Sequence, residues 1–193
     1  SNISSPIITI TLLSSDLNLI KSHTDLATSV NNTYITATSL VVSDIFTNPL
    51  TSITAANSLK ASLVVADGSP PTLMAYDLDM NAGTITFFFS ESVDTSTFDP
   101  TQLTFQNAHT ATSHTTNYTL TGFSNQSLVS TVADTIITFQ ISTIDINNIK
   151  MMVAIATSRN STYLAVTMGF IQDQSSNPIV EISTSAGSQV QKY

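Results

Sequence analysis

Five Asn-x-Ser/Thr triplets, at Asn2, Asn31, Asn117, Asn125 and Asn160, are the clearest chemical signals in this sequence. Their chemistry is attachment of an N-linked glycan in a surface turn of a secreted protein. Asn31 and Asn160 fall at matching points of a repeat described below. Asn2-Ile3-Ser4 matches Asn125-Gln126-Ser127 once a short insertion is allowed. A second constellation is Asp77, Asp79 and Asn81. At spacing two, their oxygens share one face of a strand end, and Asp67 could add a further ligand for Ca2+. The run lacks the glycine and the distal glutamate of an EF-hand loop. It serves equally well as strand acids leading into the Asn81-Ala82-Gly83 turn. Lys21 and Lys150 are also repeat equivalents, so a buried lysine in an isopeptide cross-link stands against a plain exposed helix lysine. His23, His109 and His114 show neither metal spacing nor a Ser-His-Asp arrangement. The chain therefore reads as a non-enzyme without a resident cofactor.

Composition narrows the partners. The net charge is −8, the pI is near 4.3 and only 9% of residues are charged. The cations are Lys21, Lys60, Lys150, Arg159 and Lys192, too few to neutralise a phosphate backbone or hold anionic lipid. Ser and Thr together make 59 of 193 residues, which suits an exposed β surface kept soluble by hydroxyls and glycans. Cysteine is absent, excluding a disulfide framework and thiol chemistry. No apolar stretch approaches the roughly 18 residues of a membrane span.

The elements that position these side chains come in two copies. Residues 7–49 recur at 136–178, shifted by 129 positions without a gap. Ile7-Ile8-Thr9 returns as Ile136-Ile137-Thr138, and Asp16, Asn18, Ile20 and Lys21 return as Asp145, Asn147, Ile149 and Lys150. Ala27-Thr28-Ser29 returns as Ala156-Thr157-Ser158, and Asp44 and Asn48-Pro49 return as Asp173 and Asn177-Pro178. Such self-similarity marks a tandem array. Residues 70–129 have no upstream counterpart. The expected organisation is thus 1–66 as the back part of one repeat, 67–71 as a Pro-rich linker, and 72–193 as one complete repeat. A half repeat exposes its core and strand edges, and is expected to be completed by a preceding stretch of chain or by strand complementation from a neighbouring copy.

Within the complete repeat, Thr72–Asp79 and Thr84–Ser90 read as strands around the Asn-Ala-Gly turn. Ile85, Phe87 and Phe89 alternate onto one face, with Phe88 the exception on the polar side. Leu103–Gln106, Asn117–Thr121, Thr135–Ile141, Thr162–Met168, Ile179–Ser183 and Ser188–Gln191 are further strand candidates. The Thr135–Ile141 strand turns Ile137, Phe139 and Ile141 inward, and its copy does the same with Ile8, Ile10 and Leu12. The one helical pattern per repeat, near residues 142–152, has Thr143 or Asp145 as its cap and Ile146, Ile149 and Val153 as its apolar stripe. Many short strands, frequent turns and one helical crossover predict an all-β, two-sheet β-sandwich.

The run Thr84-Ile85-Thr86-Phe87-Phe88-Phe89-Ser90-Glu91-Ser92-Val93-Asp94, with Phe98 and Leu103-Thr104-Phe105, resembles bacterial Ig-like domains of the surface-layer type. The loop from Asp173 to Asn177-Pro178 is similar to the Asp-x-x-Gly-Asn-Pro loop that closes those domains, with Ser176, and Thr47 in the first copy, where the family has glycine. Tyr76–Thr84 and the Asp16–Lys21 helix resemble a variant repeated in large surface and fibre proteins of algae and other protists. The resemblance implies an Ig-like extracellular module with no catalytic residues to carry over. The expectation is a structural repeat of a glycosylated filament or surface coat at the cell surface, assembled head-to-tail from copies of itself. The alternative is an adhesin or carbohydrate-binding stalk, for which the aromatic complement (no Trp, five Tyr) is poor.

Overall fold

The computed structural model describes residues 6–122, 127–129 and 134–193, with only the backbone of Ser127. The chain divides into two compact units, residues 1–67 and 68–193. It is built mostly from strands in antiparallel sheets, with two α-helices among the described residues, an architecture compatible with an all-β fold.

The first unit contains helix α1 (Ser14–Lys21) and strands β1 (Tyr34–Ile35) and β2 (Leu59–Lys60), which pair antiparallel. Isolated bridges join Ala37 to Ile53 and Ser43 to Pro49. No described residue of this unit is buried.

The second unit carries the core. Strands β3 (Leu73–Asp79) and β4 (Thr84–Asp94) form a hairpin around a turn in which Gly83 adopts φ 70°. A Cβ is strained in that conformation, which is why glycine stands there. The strands β5 (Leu103–Gln106), β6 (Asn117–Thr119), β7 (Ser127–Leu128) and β8 (Asp134–Gln140) precede helix α2 (Thr143–Met151), and β9 (Tyr163–Val166), β10 (Gln172–Asp173) and β11 (Ser188–Gln189) follow it. One sheet runs β10-β4-β8-β7, with β3 also paired to β4; the other runs β11-β9-β5-β6. Inward residues of both sheets join one apolar cluster: Tyr76, Ile85, Phe87, Ile137 and Phe139 from the first, Leu103, Phe105, Leu164 and Val166 from the second. Phe87, Phe98, Phe139 and Phe170 meet ring to ring, with centroids 4.9–5.2 Å apart in the closest contacts.

Several sequence expectations change. Strand β4 continues past Ser90 to Asp94, with the register shifting between Phe88 and Val93. That irregularity buries Glu91, Ser92 and Val93 in succession and breaks the alternation that ended the expected strand. Phe88 is half-buried, paired with Ala75 on one side and Ile136 on the other. The α2 cap is Ser142, not Thr143 or Asp145: its hydroxyl accepts the Asp145 amide at 3.0 Å. Val153 lies beyond the helix and is exposed, while Ile146 and Ile149 are buried as the stripe requires. Ile179–Ser183 forms no strand; Ile182 only bridges Val166. In the first unit, residues 6–13 form no strand although they share the pattern of β8. Strand β8 pairs with β4 and β7, whereas among the described residues no strand pairs with residues 6–13.

Candidate functional site

The two units share more backbone than sequence identity suggests. Pairing of Tyr34 with Lys60 and Ile35 with Leu59 recurs, 129 positions on, as Tyr163 with Gln189 and Leu164 with Ser188. The bridges Ala37–Ile53 and Ser43–Pro49 recur as Val166–Ile182 and Gln172–Pro178. Even the left-handed residues recur: Ala27 and Ala156 at φ 58° and 49°, Thr47 and Ser176 at φ 67° and 65°. The conformation that favours glycine is thus kept at Thr47 and Ser176 without it. Local hydrogen bonds hold that loop: Asp44 Oδ1 accepts the Phe46 and Asn48 amides, and Asp173 Oδ1 accepts those of Ser175 and Asn177. The Asn48 side-chain amide, then its backbone amide, hold the Asp44 carboxyl below the usual carboxylate range.

What differs is the cover. Ile8 is 61% exposed and Ile137 0%; Ile10 is 71% and Phe139 2%; Ile35 is 59% and Leu164 0%. Leu17, Leu26 and Val41 are likewise exposed where Ile146, Ile155 and Phe170 are buried. In the second unit the cover comes from the front half of the repeat, β3 to β6 and their loops. Many polar links fasten these elements to residues 134–193, and the following involve buried groups. The Tyr76 hydroxyl donates to the Thr162 carbonyl at 3.1 Å. The Tyr118 and Thr121 hydroxyls each donate to Asp145 Oδ1 at 2.7 Å, and Ser142 Oγ donates to Oδ2 at 2.9 Å. Asp145 is fully buried by this set. Its equivalent, Asp16, is exposed, its carboxylate has no hydrogen-bond partner among the described residues, and the N-cap position of α1, Leu13, provides no side-chain cap. From Tyr34 to Lys60 the first unit therefore repeats the pairings of residues 163–189, while the apolar positions buried in the second unit are exposed in it.

Three of the sequon residues are among the described residues. Asn31 and Asn160 are both exposed in equivalent turns. In each turn the hydroxyl two positions on is used locally, Thr33 Oγ1 donating to Ser29 O at 2.7 Å and Thr162 Oγ1 to Ser158 O at 2.6 Å. The Asn31 side-chain oxygen accepts Lys60 Nζ at 2.8 Å. Asn117 is exposed at the start of β6, while Asn2 and Asn125 lie outside the described residues.

Asp77, Asp79 and Asn81 line an open cleft of about 620 Å3 together with Thr84, Thr86 and Lys192. Asp79 Oδ1 already accepts the Asn81 and Ala82 amides at 2.8 Å each, so it serves the β3–β4 turn. Those amides, Ala82 first, hold its carboxyl below the usual range. Asp77 Oδ1 is buried and unpartnered, but Lys192, whose backbone bridges to Asp77, lines the same cleft and brings a cation where Ca2+ would need more acid. Asp67 belongs to the first unit and pairs with Lys21 Nζ at 2.9 Å. Lys150, the equivalent of Lys21, is exposed. The histidines are all exposed and are not brought together. No helix among the described residues is long and apolar enough to cross a membrane.

The feature missed by motif reading is the Tyr118–Thr121–Asp145 cluster. Its only sequence signal is that Asp16 recurs as Asp145 inside an otherwise apolar helix face. No family model, curated protein or solved structure matches the chain.

Proposed function

We propose that this chain is one and a half repeats of an Ig-like two-sheet β-sandwich array, a structural module of an extracellular, N-glycosylated filament or surface coat assembled head-to-tail. The observation that carries this reading is the first unit: it repeats the strand pairings and bridges of residues 163–189 while leaving exposed the apolar positions that are buried in the second unit. Leaving Ile8, Ile10, Leu12, Leu17, Ile35 and Val41 in water forgoes about 1.5–3 kcal/mol each, on the order of 10 kcal/mol together. That equals the whole stability of an ordinary domain, about 5–15 kcal/mol. A back half of this kind makes sense as a joint in a larger object. An interface repeated head-to-tail without closure produces a filament, and stacked repeats transmit load through neighbour contacts. Asn31, Asn117 and Asn160 are exposed, as attachment of sugar requires. Because Thr162 is buried, its sequon is readable as an extended peptide only before the turn closes, so attachment precedes folding. The stalk reading is less supported, since Tyr76 is buried in the core and among the described residues no aromatic row offers a stacking surface.

Electron microscopy of the native material, with and without endoglycosidase, tests the proposal. Filaments with an axial period of one or two repeats, thinned by the enzyme, are the expected result. Discrete particles with no mass change after the enzyme would overturn it.

A further inference from the structure

We infer that the bare face of the first unit is an acceptor for one specific occupant, a front half of this same repeat type supplied by a further repeat, and that Asp16 selects it. The inference rests on the tandem-repeat reading but not on the filament. The second unit shows what covers such a face: a segment like residues 68–129, bringing Tyr76, Tyr118 and Thr121. It also shows the edge that receives the first strand. Residues 191 and 192 run parallel to β3, with Gln191 N donating to Tyr76 O at 2.8 Å and Leu78 N donating to Lys192 O at 3.0 Å. The equivalents in the first unit are Ser62 and Leu63, both exposed.

A second copy of residues 1–193 is the wrong occupant by count. Each copy has two back halves and one front half, and that front half is already engaged on its own back half. Exchange between copies moves the vacancy without filling it.

Selection follows from the chemistry of the buried carboxylate. Covering Asp16 removes it from water, which is costly unless donors replace the lost hydration. In the second unit Tyr118, Thr121 and a serine cap supply them to Asp145. Leu13 stands where that serine would be, so the first unit depends more heavily on the incoming tyrosine and threonine. A front half displaced by one residue turns these side chains to the opposite face and leaves the carboxylate buried and unpaired.

The test extends the full chain. A copy of residues 68–129 placed directly ahead of Ser1 restores the frame, since Ser1 aligns with position 130. Closure of the added half onto the first unit is read by loss of hydrophobic-dye binding and by amide protection at Ile35 and Ala37. A second extended chain carries Tyr118→Phe and Thr121→Val in the added copy, and both are made again with Asp16→Leu. With Asp16 the unaltered added half is expected to close more favourably by about 10- to 100-fold. With Asp16→Leu the preference should vanish or reverse, a switch that a merely structural role does not produce. Unextended 1–193 that binds no dye and runs as a dimer or larger would show a second copy on the face and overturn the inference. So would an extended chain that binds as much dye as the unextended one while the second unit stays protected. Equal closure in all four variants would overturn the role of Asp16. Absence of filaments in the native material would leave each of these outcomes untouched.

Discussion

Ile8 and Ile137 are the same residue at the same point of the same repeat, and one lies in water while the other is sealed in a core. Ile137 lies in strand β8 and Ile8 in no strand, yet further along the repeat the two copies have matching bridges and matching left-handed residues. Local sequence therefore specifies turn geometry and short pairing in either context, while burial in the second unit comes with the packing of β3 to β6 against the later elements. The comparison separates what the chain dictates locally from what tertiary cover adds.

The sharpest way to break the comparison is to make one change in both copies. Ile137→Ala should destabilise the second unit by about 2–5 kcal/mol, the range for a core cavity. Ile8→Ala should shift nothing beyond about 0.5 kcal/mol, as for an exposed site. Urea unfolding followed by tyrosine fluorescence reads both, and similar shifts would mean that the first unit is covered in solution. Asp145→Ala comes next. It strands the Tyr118 and Thr121 donors inside the unit and should cost on the order of 3 kcal/mol, against almost no effect for Asp16→Ala, measured by thermal melts of the two variants. Gly187 supplies a third contrast. A Cβ there would lie 2.6 Å from Gln106 Nε2, and Gln106 is buried and held by the Ala108, His109 and Thr184 carbonyls. Gly187→Ser should cost about 1–3 kcal/mol by overpacking. Position 58, its equivalent, already carries serine.

Two smaller predictions expect the copies to agree. Thr47→Gly and Ser176→Gly each relieve a left-handed residue, worth about 1–2 kcal/mol, less the roughly 0.5–1 kcal/mol of extra entropy that glycine loses on folding. Net gains below about 1 kcal/mol in both loops are expected, read as slower amide exchange at Asn48 and Asn177. The least effect concerns acid. Asp44 and Asp79 are held below the usual carboxylate range by hydrogen bonds, and Asp99 is also lowered, its Thr101 and Gln102 donors outweighing the upward push of burial. Depressed folded values contribute stability above the unfolded value of about 3.9, and that contribution is lost as pH falls through each folded value. Both units should therefore weaken mildly below about pH 4, visible as a falling urea midpoint. A midpoint rising with acid would contradict the hydrogen-bond assignment.

Much of this was legible in the sequence. The ungapped repeat located the matching halves, and alternation at Ile85, Phe87 and Phe89 placed the inner strand face. The alternation failed where Glu91, Ser92 and Val93 are buried together, because a register shift erases the period of two. The pattern Ile8-x-Ile10-x-Leu12 was read as a strand, yet strands are made by partners, and pattern alone supplies none. The buried Asp145 cluster was invisible because its donors lie 24 and 27 residues away. Spacing at short range could not bring them together.

Native-state hydrogen exchange of the unextended chain tests the central claim most directly. Ala37 N donates to Ile53 O at 3.0 Å, and Val166 N donates to Ile182 O at the same distance, so the two amides differ in cover and not in bonding. The account predicts that Val166 exchanges only through global opening of the second unit, slower than Ala37 by about a thousandfold or more. Equal protection of the two amides in a monomeric sample would contradict it.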